Sequence, residues 1–181
     1  MVDAVYCHPG IKETYFFSSR RYARINFSLF FFGGRVAHIR LDTEAHRDTL
    51  VDGPWAITDK FTRLAEAGFD TIDAAMPVPG YEGEAYIFCG TKYARINLND
   101  DRVVYGPAKL SVESPALTEA KFDSVDAALP QPGSTDGVTY FFKGDKYVKI
   151  KVVPWAPDEI TFGPSLIAPQ WKTLDLFYFA D

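Results

Sequence analysis

A pattern that recurs along the chain constrains its fold more than any other feature. Eleven-residue segments begin at Tyr15 (YFFSSRRYARI), Tyr86 (YIFCGTKYARI) and Tyr140 (YFFKGDKYVKI), each preceded by an Asp-Ala pair and followed by a Gly-Pro pair. The second and third units begin at Ile72 and Val125, about 53 residues apart. Three features that recur in the same order are typical of a protein built from tandem supersecondary units.

Each recurring segment predicts a β-hairpin. Three apolar or aromatic residues are followed by a short polar turn and by a strand in which basic and apolar residues alternate. The Asp-Ala segment and the residues leading to Gly-Pro predict two further strands. After the first Gly-Pro, apolar residues from Ile57 onward recur at helical spacing, with Thr58 or Asp59 as the helix cap. Repeated units of four strands and a helix indicate the blades of a propeller, which suits the 15% aromatic content.

The third unit carries a family resemblance almost letter for letter. Its VDAA at 125–128, YFFKGDKY at 140–147 and FGP at 162–164 resemble the hemopexin-like repeat, most closely the version in the plant seed albumin-2 family. The resemblance covers nearly the whole chain. It implies an all-β, four-bladed propeller of four-stranded blades with short helices, arranged around a central tunnel.

The first part of the chain departs from this template. A fourth hairpin-like segment, residues 29–39, follows the first by only three residues, so the chain has four hairpins but three Asp-Ala starts and three Gly-Pro ends. One explanation fuses two half-blades by deletion, and the other inserts a hairpin into the first of three blades. The fusion predicts one domain, 1–181, with repeats at 1–28 (partial), 29–69 (partial), 70–122 and 123–181. Since four complete blades need about 216 residues, the propeller is expected to be shortened to about 3 to 3.5 blades.

A shortened propeller leaves sheet edges unpaired. Exposed edges tend to recruit another chain, so a homodimer formed near residues 15–40 is one expectation. A strained, closed monomer is the other.

Composition and missing motifs exclude several functions. The formal net charge is −5, without long runs of like charge, which argues against a nucleic-acid partner. No apolar stretch is long enough for a membrane helix, and the first residues do not have the pattern of a signal peptide, so a cytoplasmic protein without a membrane partner is expected. Signatures of dinucleotide, phosphate, zinc-hydrolase and serine-hydrolase sites are missing, which predicts a binding protein and not an enzyme.

The resemblance implies a site in the tunnel. The innermost strands of the family line the tunnel, and their carbonyl oxygens can hold calcium or sodium, with chloride nearby. Carried onto this chain, the metal-site residues are Asp3, Asp73 and Asp126, and the tunnel or ligand-binding residues are Ala4, Val5, Ala74, Ala75, Ala127 and Ala128. Oxygen ligands around an axis suit a hard cation. The alternative is that these carboxylates bond to neighbouring backbone amides.

The histidines and the basic hairpin positions allow further ligands. His38 and His46 are possible haem ligands, although solvated surface histidines are the simpler interpretation. The basic positions that recur in the hairpins, Arg95 among them, predict a charged, solvated sheet face, with contact to an anionic ligand or a glycan as the functional alternative. The resemblance implies binding of haem, a polyamine or another small ligand at the tunnel, linked to dimerisation. A lectin-like or toxin-associated recognition module is the alternative; its glycan would stack on exposed Tyr or Trp beside polar groups.

Overall fold

Three antiparallel sheets follow one another along the part of the chain that this computed structural model describes, residues 27–32, 34–42, 47–131 and 135–171. Sheet I contains β1 (Phe27–Phe32), β2 (Arg35–Asp42) and β3 (Arg47–Ala56). Sheet II contains β4 (Ala74–Pro77), β5 (Glu84–Cys89), β6 (Lys92–Asn97) and β7 (Arg102–Lys109). Sheet III contains β8 (Ala127–Pro130), β9 (Val138–Lys143), β10 (Lys146–Lys151) and β11 (Glu159–Leu166). Within each sheet, strands adjacent in sequence are adjacent in space.

The predicted hairpins are present wherever the chain is described. β5 pairs with β6 and β9 with β10, each across a two-residue turn that begins with a glycine at positive φ, Gly90 or Gly144. The additional hairpin at residues 29–39 is β1 paired with β2, and β2 in turn pairs with β3, the strand that contains Gly53-Pro54. The first hairpin, which begins at Tyr15, lies outside the described residues.

The predicted helix is a pair of short helices after sheets I and II, and one short helix is described after sheet III. After sheet I come α1 (Ile57–Lys60) and α2 (Thr62–Glu66), and after sheet II come α3 (Leu110–Glu113) and α4 (Pro115–Glu119); α5 (Ile167–Gln170) follows sheet III. The predicted caps Thr58 and Asp59 are wrong, because both lie inside α1, whose N-cap is Ala56. A distant residue helps to cap α2 instead. Asp101, in the β6–β7 turn, accepts hydrogen bonds from the Arg63 amide at 2.9 Å and the Thr62 hydroxyl at 3.1 Å.

Sheet II has a different neighbour on each face. Successive side chains of a strand point to opposite faces, so Ala74 and Ala75 enter different cores. The Ala75 face, with Ile87 and Ile96, packs on Ile57, Phe61 and Leu64 of the helices that follow sheet I. The Ala74 face, with Met76 and Phe88, packs on sheet III through residues such as Phe141 and Ile150. Sheet III is therefore the neighbour of sheet II on the Ala74 face.

The last strand of each of the three sheets has the same backbone irregularity. The bonds Gly53-Pro54, Gly106-Pro107 and Gly163-Pro164 are cis, and each glycine has a positive φ. A Cβ at Gly106 would lie 2.9 Å from the Tyr93 carbonyl oxygen, which explains why this position requires glycine. Within the described ranges, no helix has the length and apolar character needed to cross a membrane.

Candidate functional site

A cleft of about 440 Å³ opens between sheets II and III. Its apolar wall combines residues of both sheets and of α3, among them Met76, Phe88, Leu110, Phe141, Ile150 and Val152. Polar and aromatic side chains line the rest: Tyr86, Tyr93, Arg95, Tyr105, Glu113, Trp155 and Asp158. A concave site with an apolar wall and a few converging polar groups is typical of small-ligand binding.

Arg95 of β6 is the central polar residue of the cleft. Its side chain is only 2% exposed, and its Nε donates a hydrogen bond to Glu84 Oε2 at 2.5 Å. The Cζ atom lies 4.0 Å from the centroid of the Tyr81 ring and 4.7 Å from that of Trp155, so aromatic rings contact the guanidinium. Among the described residues, the buried Nη1 has no hydrogen-bond partner. A buried donor without a partner is costly, and a bound ligand can satisfy it.

Three tyrosines supply neutral hydroxyl groups. The Tyr93 ring centroid lies 6.2 Å from that of Tyr86 and 6.0 Å from that of Tyr105. Burial raises the pKa of Tyr86 and Tyr93, while the hydrogen bond from the Tyr105 hydroxyl to Glu113 Oε2, 3.0 Å long, raises the pKa of Tyr105. All three hydroxyls therefore keep their protons at neutral pH. A ligand can use these hydroxyl oxygens as acceptors, whereas the proton of Tyr105 is already donated to Glu113.

The loop between β10 and β11, residues 152–158, forms one rim of the cleft. Its Trp155 is 64% exposed, has φ 66°, and meets the Tyr105 ring edge-on at 6.0 Å. A bulky residue at positive φ is strained, and such strain is concentrated at functional sites. The Val153 amide donates to Asp158 Oδ1 at 3.1 Å across the loop, and burial raises the pKa of the Asp158 carboxyl.

Sequence reasoning missed this cleft. One signal was available, because the turn at residues 98–101 in sheet II is replaced in sheet III by a longer loop that contains Pro154, Trp155 and Pro157. Arg95 lay among the basic hairpin positions, whose simplest interpretation is a solvated sheet face. That interpretation is wrong for Arg95, because its side chain is buried.

The predicted metal-site aspartates make hydrogen bonds to hairpin turns. Asp73 Oδ2 accepts from the Gly90 amide at 2.6 Å, and Asp126 Oδ2 accepts from the Gly144 amide at 2.7 Å. These are the backbone contacts that the alternative interpretation expected. In the ranges that the structure describes, no group of three or more His, Cys, Asp or Glu side chains is placed to hold a metal ion. Asp3 lies outside these ranges.

The predicted tunnel residues are packed to different degrees. Ala74, Ala75 and Ala128 are buried, and Ala127 is partly buried. Each alanine is on the first strand of its sheet, which is an edge strand, and β4 contacts β8. Ala4 and Val5 lie outside the described residues, so a tunnel lined by all of these positions stays a prediction.

Of the two candidate haem ligands, His38 lies in the described ranges. His38 is on β2, between Leu29 of β1 and Asp52 of β3. Arg95 and Lys149 occupy the same position on the middle strands of sheets II and III, at a register shift. His46 lies outside the described residues. Haem ligation by either histidine stays a prediction.

Comparison with known proteins identifies relatives of the chain. No family model matches it. It is 30% identical over 152 residues to Albumin-2 of Lathyrus sativus, an alignment that covers 82% of this chain and 66% of the relative. It is 32% identical over 135 residues to Albumin-2 of Pisum sativum, covering 72% of this chain and 57% of the relative. This chain thus spans 66% of the length of the first albumin and 57% of the length of the second.

Solved structures share the fold over nearly their full length. A plant albumin from Cicer arietinum showing hemagglutination superposes with a TM-score of 0.86 at 21% identity, with 100% of both chains covered. A plant lectin with two metal-binding sites, also from Cicer arietinum, gives 0.85 at 21% identity and the same coverage. A hemopexin-fold protein from cow pea gives 0.83 at 21% identity, with 99% of both chains covered.

These likenesses define a class. The protein is an all-β protein of the hemopexin fold, with two antiparallel four-stranded sheets in its described part. The chain is a hemopexin-like relative of the seed albumin-2 proteins. The relatives and the solved neighbours reported above are seed albumins, a lectin and a hemopexin-fold protein, in agreement with the prediction of a non-catalytic protein.

Proposed function

We propose that this protein is a non-catalytic, lectin-like binding protein that holds a glycan in the cleft between sheets II and III. The observation that carries the proposal is the buried, unpartnered Nη1 of Arg95 beside an exposed tryptophan and several tyrosine hydroxyls. A sugar ring has apolar C–H faces that pack on aromatic rings and hydroxyls that need both donors and acceptors. The cleft supplies all three kinds of surface.

The solved structures give separate support to this proposal. Hemagglutination is a property of the Cicer arietinum albumin, and a second neighbour is a lectin. Both share the fold with this chain at 21% identity. A fold alone does not determine a function, so the proposal depends on the residues of the cleft.

A polyamine is the second candidate, because the cleft is acidic. Glu84 pairs with Arg95, which leaves the carboxylates of Glu113 and Asp158 to attract a cation, and aromatic rings can add cation–π contacts. The Arg95 guanidinium, however, already contacts the Trp155 ring and repels a second cation. The glycan is therefore the first choice.

A glycan array followed by isothermal titration calorimetry tests the proposal. We expect binding to a subset of glycans at a stoichiometry of about one site per chain. Spermine, as the polyamine probe, is titrated alone and as a competitor. Glycan binding that spermine does not displace supports the proposal. Spermine binding without any glycan binding would make the protein a polyamine binder instead.

Haem binding is a further proposal, which comes from the family resemblance. Free haem is titrated into the protein while the Soret band is followed, and the titration is repeated with His38→Ala and His46→Ala. A shifted Soret band that one substitution abolishes identifies an axial ligand. A spectrum equal to that of free haem in buffer overturns the haem proposal without affecting the glycan proposal.

The blade arrangement is also a proposal. Sheets I, II and III are taken as repeats 29–69, 70–122 and 123–181, with 1–28 as a partial repeat in a shortened propeller. The shared succession of hairpin, Gly-Pro strand and short helix supports these bounds. Such a ring has an open edge, so we expect a homodimer, and sedimentation equilibrium distinguishes it from a closed monomer.

An ion in the tunnel of this propeller remains a proposal as well. The carboxylates of Asp73 and Asp126 already accept amide hydrogen bonds, so the backbone carbonyls of the innermost strands are the better ligands for calcium or sodium. Thermal unfolding is measured in calcium, in sodium alone, and after chelation, each with and without chloride. A melting temperature that is unchanged in all conditions would contradict the ion site.

A further inference from the structure

We infer that the cleft selects sugars that carry an acetamido group, the class of the N-acetylhexosamines. This inference rests on the proposed glycan-binding function and adds the chemical class of the ligand. An acetamido group has a carbonyl oxygen that accepts a hydrogen bond, an N–H that donates one, and a methyl group that prefers an apolar wall. The cleft offers a complement to each.

Arg95 fits the carbonyl oxygen. Its Nη1 is a buried donor with no partner among the described residues, so a ligand that accepts from it removes the cost of an unsatisfied polar group. Glu84 already neutralises the guanidinium charge at a 2.5 Å contact. With Asp158 and Glu113 also lining the cleft, a ligand carboxylate would be repelled. A neutral carbonyl oxygen is therefore a better partner than an acid.

Asp158 fits the N–H group. Its Oδ1 accepts from the Val153 amide, which leaves Oδ2 without a hydrogen bond within the described part of the chain. Arg95 and Asp158 both line the cleft, and Trp155, in the same loop as Asp158, has its ring centroid 4.7 Å from the Arg95 Cζ atom. One planar amide can then meet Arg95 with its oxygen and Asp158 with its nitrogen.

The apolar wall fits the methyl group. Val112, Val153 and Pro157 line the cleft and keep surface that a ligand can reach, whereas Met76, Leu110 and Ile150 also line it but are at most 1% exposed. Burying one methyl group on such a wall contributes roughly fivefold in affinity. The sugar ring itself then lies toward the rim, where Trp155 is exposed.

Calorimetric titrations with matched sugars test the inference. N-acetylglucosamine and N-acetylgalactosamine are compared with glucose and galactose, and with the free 2-amino sugars. We expect both acetamido sugars to bind at least about tenfold more tightly than the parent hexoses, since they pair a buried donor that the hexoses leave unpaired. Equal affinities would overturn the inference and leave the glycan proposal standing. If none of these sugars and no glycan on the array binds, both the inference and the glycan-binding proposal are overturned.

Two substitutions identify the residues responsible. Arg95→Lys keeps a cation for Glu84 but removes Nη1, and Asp158→Asn keeps the acceptor for Val153 but replaces the second oxygen by a donor. We expect each to reduce the acetamido preference to within about twofold of unity, and to weaken glycan binding as a whole, because both residues line the proposed site. Arg63→Lys, at an exposed ion pair outside the cleft, is the matched control and should keep the full preference.

A preference that survives both substitutions would overturn the assignment of the two residues. If Arg95→Lys does not fold, as thermal melting will reveal, Asp158→Asn alone decides, because its loop is on the rim and its turn contact is kept. In that case an unchanged preference in Asp158→Asn rejects the inference. Binding of the free amino sugars above the acetamido sugars would also reject it, in favour of a cationic ligand.

Discussion

The guanidinium carbon of Arg95 lies 4.7 Å from the centroid of the Trp155 ring. Arg95 is on the third strand of sheet II, whereas Trp155 is in the loop before the last strand of sheet III. Their contact exists only because one face of sheet II packs on sheet III. The cleft is therefore a property of the packing between repeats and not of any single repeat.

Trp155→Ala should weaken glycan binding without unfolding the protein. The side chain is 64% exposed, so its removal sacrifices little of the core, while the ligand loses its stacking surface. We expect roughly a tenfold loss of affinity, or about 1.4 kcal/mol, by calorimetry. Trp55→Ala, at a tryptophan that is 46% exposed on β3, is the control and should bind normally. Equal losses in the two variants would remove Trp155 from the site.

Arg95→Ala should be strongly destabilising. The substitution leaves Glu84, which is only 12% exposed, without its partner inside the protein. Breaking a buried ion pair in this way costs about 3 to 5 kcal/mol. The matched change Arg63→Ala removes an ion pair whose side chains are 67% and 64% exposed, and should cost less than about 0.5 kcal/mol. Urea unfolding of both variants measures the difference, and similar costs would contradict the buried pair.

Asp158 should make stability depend on pH. Burial raises the pKa of its carboxyl in the folded protein above the ordinary value of 3.8, so the folded state holds this proton more tightly than the unfolded chain does. Its contribution to stability is present at low pH and is lost as the pH rises through the raised folded value. Asp158→Asn removes this loss and keeps the acceptor for Val153. The variant should gain stability over the wild type as the pH rises above 3.8, as urea unfolding measures. A difference in unfolding free energy between the variant and the wild type that does not change with pH would contradict a raised pKa for Asp158.

Gly106→Ala should cost more than Gly80→Ala. Both glycines have a positive φ, but a Cβ at Gly106 meets the Tyr93 carbonyl oxygen at 2.9 Å, whereas nothing lies within 4 Å of a Cβ at Gly80. The backbone strain alone is about 1 kcal/mol, so Gly80→Ala measures that part. We expect Gly106→Ala to cost at least about 2 kcal/mol in thermal or urea unfolding, because β6 and β7 must separate. Equal costs would show that the close approach is relaxed in solution.

Much of the fold can be predicted from the residues because it is local. Alternating apolar positions, a two-residue turn with glycine and a Gly-Pro pair determine each hairpin within about 25 residues of chain, so the predicted pairing of β5 with β6 and of β9 with β10 is confirmed. The family resemblance is confirmed as well, since it depends on the same repeated motifs. The hydrogen bond from the Gly144 amide to the Asp126 carboxylate, which the sequence offered as the alternative to a metal site, also joins residues only 18 positions apart.

The candidate site could not be predicted in this way. The sequence by itself determined the repeated unit, the strand pairing inside it and the absence of known catalytic motifs, because those depend on neighbours along the chain. Only the tertiary structure decided that Arg95, one basic residue among several equivalent positions, is buried beside Glu84 and faces Trp155. The physical reason is that packing one sheet on the next fixes which side chains lose water, and no periodicity within a strand records that contact.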